Sequence, residues 1–364
     1  MKYELKISCK NARFGNIFFN DFIFKTPMFM PVGTYGVVKT IDFNDLNILG
    51  FDIILSNTFH IMLTPGINVI NCIKGLYKFI NWKKGILTDS GGYQIFSLNK
   101  NILLNDGIKF KQFYSGNFVF MTPEKSIHLQ HYFKSDIIMC LDDCIRYPTI
   151  FKNSWKSVNL SLFWAKRCKK IHNKSNFLFG IIQGGNYNNY RLYSLKNLLN
   201  MNFNGYAIGG LSVGETKKNM IKILEYITKF IPIFKLRYLM GVGTPLDIID
   251  GVLRGVDMFD CVIPTRNARN GYLFISKGIF RLKNSINKMN YNKLDNNCNC
   301  YSCNNFSISY LYHLNKCNEV LGIKLNTIHN LFFYNNLMKN IQDSIISNTL
   351  NDFVISFYKI YNKL

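Results

Sequence analysis

Eight short apolar runs, each followed by a segment long enough for a helix, dominate this sequence and narrow the folds open to it. They lie at 28–32, 51–55, 85–88, 136–141, 178–182, 205–208, 237–240 and 257–263. The stretches at 154–171, 190–201 and 216–231 between them are amphipathic. Strand and helix in alternation predict a parallel sheet with helical crossovers. Eight units predict a closed (β/α)8 TIM barrel over an open doubly wound sheet. Such a barrel takes about 250 residues, and the chain has 364, which leaves room for a subdomain and terminal helices. In a barrel the strand C-termini converge on one mouth. Asp89, Asp142-Asp143, Gln183, Gly209-Gly210, Gly241 and Asp260 stand at or near strand ends, so they are expected to form one constellation.

Outside the barrel pattern, 3–20 reads as a β-hairpin turning near 13–16, and 271–282 as another turning at Lys277-Gly278. The segment 284–305 is polar and turn-rich. From 327 onward, Leu331, Tyr334, Met338, Ile341, Ile345, Leu350, Val354 and Phe357 recur at helical spacing, with a break near Ser347-Asn348. The expected organisation is a single barrel domain over 1–364 with a zinc subdomain at 284–335 near the C-terminus and helices at 336–364. No apolar run approaches the roughly 18 residues of a membrane span, and the N-terminus lacks a signal-peptide core. The expectation is a soluble, cytoplasmic protein with no membrane partner. The net charge of +23 suits a phosphate-rich partner; it also suits a biased nucleotide composition, since Asn, Lys, Ile and Phe are abundant. Charge alone leaves both open.

Three of the ten cysteines crowd together as Cys298-x-Cys300-x2-Cys303, with His329 further on. Three thiolates and an imidazole satisfy tetrahedral zinc with no slot left for water, which predicts a structural site. Cys317 and His313 are nearby competitors as ligands. The carboxylates carry the chemistry. Asp89 precedes a glycine turn and could be a helix N-cap or an active-site acid. Asp142-Asp143 could be a solvated turn. Asp260 sits inside an apolar strand, where a carboxylate needs a partner or a task. With an ordinary Asp pKa near 3.9, Asp260 is expected to be anionic at neutral pH. Carboxylates facing one cavity suit glycosyl chemistry, one attacking the anomeric carbon while a second group moves protons. The segment 209–216 has P-loop glycine spacing, but Glu215 holds the lysine position and would repel phosphate. Arg266 and Arg269, just past the eighth strand, suit phosphate or base contacts or are plain surface arginines.

Taken together, the motifs TDSGGYQIFSL at 88–98, LDDCIRYP at 141–148, GIIQGG at 180–185, AIGGLSVGE at 207–215, YLMGVGTP at 238–245 and MFDCVIPTRNARNG at 258–271 resemble the queuine tRNA-ribosyltransferase, or tRNA-guanine transglycosylase, family. The resemblance runs over nearly the whole chain, and the cysteine cluster closes it. It implies exchange of the wobble guanine of GUN-anticodon tRNAs (Asp, Asn, His, Tyr) for a 7-deazaguanine base. It implies Asp260 as nucleophile and Asp89 as general acid/base. Asp142, Gln183 and the backbone at Gly209, Gly210 and Leu211 match groups that read the base edge. Tyr93 and Met240 match residues that sandwich the base, and Arg266 and Arg269 match anticodon contacts. Cys298, Cys300, Cys303 and His329 match the zinc ligands, and members pair as homodimers.

Cys144 and Val213 match bacterial members, which insert 7-aminomethyl-7-deazaguanine. The sequence ends soon after the cysteine region, unlike the longer archaeal members. Three positions depart from the family pattern: Asp143 for Glu, Ala268 for Gly and Thr64 for Arg. Rival readings are a non-catalytic tRNA-binding subunit, which the presence of both Asp89 and Asp260 disfavours, and a metal-dependent barrel hydrolase, for which His60, His128 and His131 are not placed at strand ends.

Overall fold

A computed structural model of the chain describes residues 2–19, 22–98, 101–112 and 116–361. The end of the expected first hairpin at residue 20 and the last three positions of the expected C-terminal helices lie outside them. An antiparallel sheet comes first, formed by β1 (Lys2–Cys9), β2 (Ala12–Phe19) and β3 (Phe22–Thr26). Then β4 (Met28–Gly33), β5 (Ile53–Ser56) and β6 (Gly85–Thr88) begin a barrel. A second antiparallel sheet, β7 (Asn101–Leu104), β8 (Gly107–Lys111) and β9 (Phe118–Met121), interrupts it. The barrel resumes with β10 (Ile137–Met139), β11 (Phe177–Ile182), β12 (Gly205–Ile208), β13 (Leu236–Leu239) and β14 (Met258–Cys261). The hairpin β15 (Tyr272–Ile275) and β16 (Gly278–Arg281) follows. The eight barrel strands close in the order β10-β11-β12-β13-β14-β4-β5-β6, all neighbours parallel. All eight expected runs are therefore barrel strands.

Successive side chains on a strand point to opposite faces, and the two faces here feed two cores. Met28, Met30, Val32, Phe179, Ala207 and Met258 join the cluster inside the barrel. Phe29, Ile54, Ile86, Leu178, Ile208 and Phe259 pack outward against the helices. This double burial is why the strands read as continuous apolar runs. A third cluster, with Leu273, Leu282, Leu311 and Leu325, surrounds the crowded cysteines.

The first hairpin turns earlier than its sequence suggests. Its turn is at Lys10-Asn11, with Lys10 left-handed at φ 54°, and residues 13–16 lie inside β2. Gly15 is there for close approach, since a Cβ would come within 2.7 Å of Glu4 O and of the Tyr3 ring. Arg13 pairs through Nε with Asp257 Oδ1 at 3.1 Å, both buried, and so fastens this sheet to the barrel just ahead of β14. The second hairpin is present as expected, but it turns at Ser276-Lys277, one residue before the expected Lys277-Gly278, because Gly278 pairs with Ile275. The last two helices, Val320–Ile346 and Leu350–Tyr361, break at 347–349 as expected, but the first begins before 327. Among the described residues, no helix is long and apolar enough to cross a membrane.

Candidate active site

The barrel brings the expected residues to one mouth. Asp89 follows β6, Asp142 and Asp143 lie past β10, Gln183 follows β11, Gly209 and Gly210 follow β12, Met240 and Gly241 follow β13, and Asp260 is the third residue of β14. Asp260 is partly exposed. Its Oδ1 accepts from Tyr238 Oη at 2.6 Å and from Gly241 N–H at 2.7 Å, while Oδ2 has no partner among the described residues. Burial pushes its pKa up to about 6; the two donors oppose the rise and the charge of Asp89 adds to it. That is higher than an isolated aspartate, yet the anion still predominates at pH 7. The charge on Asp89 reaches both Asp260 and Tyr238.

Asp89 is buried and held on every side. Asn57 Nδ2 and Gln94 Nε2 donate to Oδ2 at 2.6 and 2.7 Å. The amides of Thr58 and Gly91 donate to Oδ1 at 2.9 and 3.2 Å. Burial raises its pKa against these four donors, which suits a group that must both give and take a proton. The turn that makes this possible uses Gly91 at φ 81°.

The opposite wall is built for hydrogen bonding. Asp142 Oδ2 accepts from Gln183 Nε2 at 2.7 Å, and Oδ1 lies 3.5 Å from Ser90 Oγ. Burial pushes Asp142 to about 6. Gln183 Oε1 is buried without a partner. Gly210, at φ 62°, lies so close that a Cβ there would sit 2.5 Å from Gln183 Oε1. Leu211 and Cys144 are buried and Val213 is half-buried. Tyr93 is 53% exposed and Met240 half-buried. Arg266 is exposed and Arg269 half-buried, with Arg269 Nη1 buried and unpartnered.

Apart from the mouth, Cys298, Cys300, Cys303 and His329 converge, all buried. His329 Nδ1 lies 3.6, 3.5 and 3.3 Å from the three Sγ atoms in that order. Tetrahedral bonds of about 2.3 Å to sulfur and 2.0–2.1 Å to nitrogen require roughly 3.6 Å between such donors. His329 Nε2 lies 2.7 Å from the carbonyl of Phe274, so Nε2–H donates there and Nδ1 is left free to bind a metal. The four residues fit a closed tetrahedral metal site and are consistent with zinc. His313 and Cys317 form a separate exposed pair, so they are not ligands.

Residues 8–363 match the model of the queuine tRNA-ribosyltransferase family. The chain belongs to this family. It is 50% identical to the queuine tRNA-ribosyltransferase of Blochmanniella pennsylvanica across the full length of both chains. It is 49% identical to that of Pseudoalteromonas atlantica, over 98% of this chain and 97% of the relative, and 48% identical to that of Haemophilus influenzae, over 98% and 96%.

The three departures from the family pattern sit quietly in this structure. Thr64 is exposed in an extended conformation (φ −151°) just before Pro65. Ala268 is fully buried in the helix Ile263–Arg269, its carbonyl accepting from Asn326. Asp143 is held through its backbone by Ser157 and Ser161, and burial lifts its carboxyl to about 6. Several residues of the site escape sequence reading. Tyr238, Asn57 and Gln94 look like ordinary strand and helix residues. Glu215 has meaning in the sequence only as an anomaly for phosphate binding, yet it accepts from Ser212 and Val213 N–H at 2.6 and 3.0 Å and closes their loop. Arg191 stands on the apolar face of the helix Asn188–Asn200, which signals burial but not the partners it meets.

Proposed function

We propose that this chain is a tRNA-guanine transglycosylase, a pentosyltransferase of queuosine biosynthesis. It would replace the wobble guanine of GUN-anticodon tRNAs (Asp, Asn, His, Tyr) by 7-aminomethyl-7-deazaguanine. The observation that carries this reading is the pair Asp89 and Asp260, two carboxylates at the C-terminal ends of β6 and β14 on one barrel mouth, with the hydrogen-bonded Asp142 and Gln183 at the ends of β10 and β11. In this reading the nucleotide leaves its stack and enters the mouth. Tyr93 and Met240 cover the faces of the ring. Asp142 accepts from the N1–H and 2-amino group, with Gln183 beside it, and the amides at Gly210 and Leu211 face the 6-oxo group. Cys144, Asp143 and Val213 shape the wall around the 7-substituent. Arg266 and Arg269 hold the anticodon backbone.

Asp260 Oδ2, the oxygen without a partner, attacks ribose C1′ as the bond from C1′ to guanine N9 breaks. Tyr238 and Gly241 hold Oδ1 and so aim the free oxygen. Asp89 supplies a proton to the departing guanine. The incoming base returns its N9 proton to Asp89 and attacks C1′, releasing the Asp260 carboxylate. Two inversions give retention at C1′, and no ATP is consumed because one glycosyl bond replaces another. A structural zinc held by Cys298, Cys300, Cys303 and His329 would tie the helix Val320–Ile346 to the loop at 298–303. The chains would pair as homodimers through the zinc subdomain, 284–335, where Met289, Tyr291 and Tyr301 stand exposed, and would act in the cytoplasm. The test is incorporation of labelled guanine and of 7-aminomethyl-7-deazaguanine into a GUN-anticodon tRNA. Uptake of both supports the reading. Tight tRNA binding with no exchange of either base would identify a non-catalytic tRNA-binding subunit instead.

A further inference from the structure

Arg191 is fully buried and, among the described residues, has no carboxylate in ion-pair contact, the charge of Glu215 acting on it only from further away. Burying a cation without a counter-ion is costly, so its donors must be met elsewhere. Four backbone carbonyls meet them. Nε donates to Gly185 O at 2.7 Å, Nη1 to Gly209 O at 2.9 Å and to Ile182 O at 3.4 Å, and Nη2 to Gly210 O at 3.2 Å. These carbonyls belong to the end of β11 and the loop leaving it, and to the loop leaving β12. Gly184 makes the approach possible, since a Cβ there would come within 2.8 Å of Arg191 Cγ.

The guanidinium fork therefore fixes two successive peptide planes. In a trans peptide the N–H points opposite to the C=O. With Gly209 O and Gly210 O turned toward Arg191, the N–H groups of Gly210 and Leu211 point away from it. Arg191 lies on the outer helix Asn188–Asn200, so away from it is toward the barrel mouth. Among the described residues neither N–H meets an acceptor. We infer that Arg191 is a positioning residue that presents the Gly210 and Leu211 amides to the 6-oxo oxygen of the bound base, and so sets selectivity at that atom. The inference rests on the proposed base-exchange reading and adds to it a specificity determinant that never touches substrate.

The test compares wild type with Arg191→Lys, which keeps the charge but loses the planar fork. Exchange into tRNA is measured for guanine, 6-thioguanine and hypoxanthine. 6-Thioguanine keeps N1–H and the 2-amino group but has a weaker acceptor at C6. Hypoxanthine keeps the 6-oxo group and lacks the 2-amino group read by Asp142. The expected result is that the preference for guanine over 6-thioguanine falls about tenfold, the worth of one hydrogen bond. The preference for guanine over hypoxanthine should hold within about twofold, with the loss appearing in base KM more than in kcat. Parallel loss of both preferences, or no change in either, would overturn the inference and leave the base-exchange reading standing. If Arg191→Lys does not fold, Arg191→Gln is read in the same way. Failure of both to fold counts against the inference, because positioning must be separable from folding. Absence of guanine exchange by the wild type would overturn the underlying reading instead.

Discussion

Tyr238→Phe removes a single oxygen beside the proposed nucleophile and should move its pH dependence by a measurable amount. The phenol is buried and donates to Asp260 Oδ1 at 2.6 Å. Phe fills the same space, so the barrel interior is kept. A hydrogen bond to a charged group contributes roughly 1.5–3 kcal/mol, and one pKa unit corresponds to about 1.4 kcal/mol. Asp260, now at about 6, should rise by about one to two units. The sign follows from the chemistry: the anion attacks, so a raised pKa cuts activity on the acid side and spares the alkaline side. At pH 6 the anionic fraction drops from about half to roughly 1–10%. The assay is kcat/KM for guanine exchange from pH 5 to 9. The acid limb should shift upward, with a loss of roughly five- to fifty-fold at pH 6 that nearly vanishes by pH 9. A loss of equal size at every pH, or an unmoved acid limb, would refute this account of how Asp260 is tuned.

Three further outcomes follow from the same geometry. Asp142→Asn should abolish exchange while stabilising the free protein at pH 7.5. The folded pKa of about 6 lies above the ordinary 3.8, so the ionised group costs stability above that range, by about 1–3 kcal/mol; in thermal melts the gain should fade below about pH 4, and a gain that persists there would show another cause. Gly210→Ala adds a Cβ 2.5 Å from Gln183 Oε1 at a left-handed φ of 62°, so base KM should rise at least about tenfold, and an unchanged KM would show that this backbone does not read the base. Cys300→Ser should reduce bound zinc from one per chain to near zero and lower the melting temperature, both read on the purified protein by metal analysis and calorimetry; full zinc content in the variant would remove Cys300 from the ligand set.

The barrel was legible because both faces of its strands are buried, so each strand announces itself as an apolar run with a helix behind it. The metal cluster was legible because its three thiolates are local in sequence. Other features were hidden for stated reasons. The sheet β7–β9 exposes Ile102, Leu103 and Phe118, which blurs the inside-outside alternation, though Asn105-Asp106-Gly107 was a usable hairpin signal. The helix carrying His329 begins at Val320, and its first turns place apolar residues on both faces, Val320 and Leu321 exposed and Leu325 buried, which blurs the helical period. Gly15 looked like a turn glycine and serves close packing instead. In the active site, Asp89 and Asp260 stood out as acids at strand ends, whereas Tyr238 and Arg191 act through one oxygen or a set of carbonyls, and nothing in their local sequence records those distant partners.

The claim on which the account rests is that the carboxylate of Asp260 bonds to ribose. The most direct measurement is to incubate the protein with a GUN-anticodon tRNA, quench in denaturant, resolve any protein–RNA adduct by denaturing electrophoresis and locate the ribosylated peptide by mass spectrometry. Wild type should give an adduct on the peptide containing residue 260, and Asp260→Asn should give none. An adduct of undiminished yield in Asp260→Asn, or one mapped to another residue, would contradict the account.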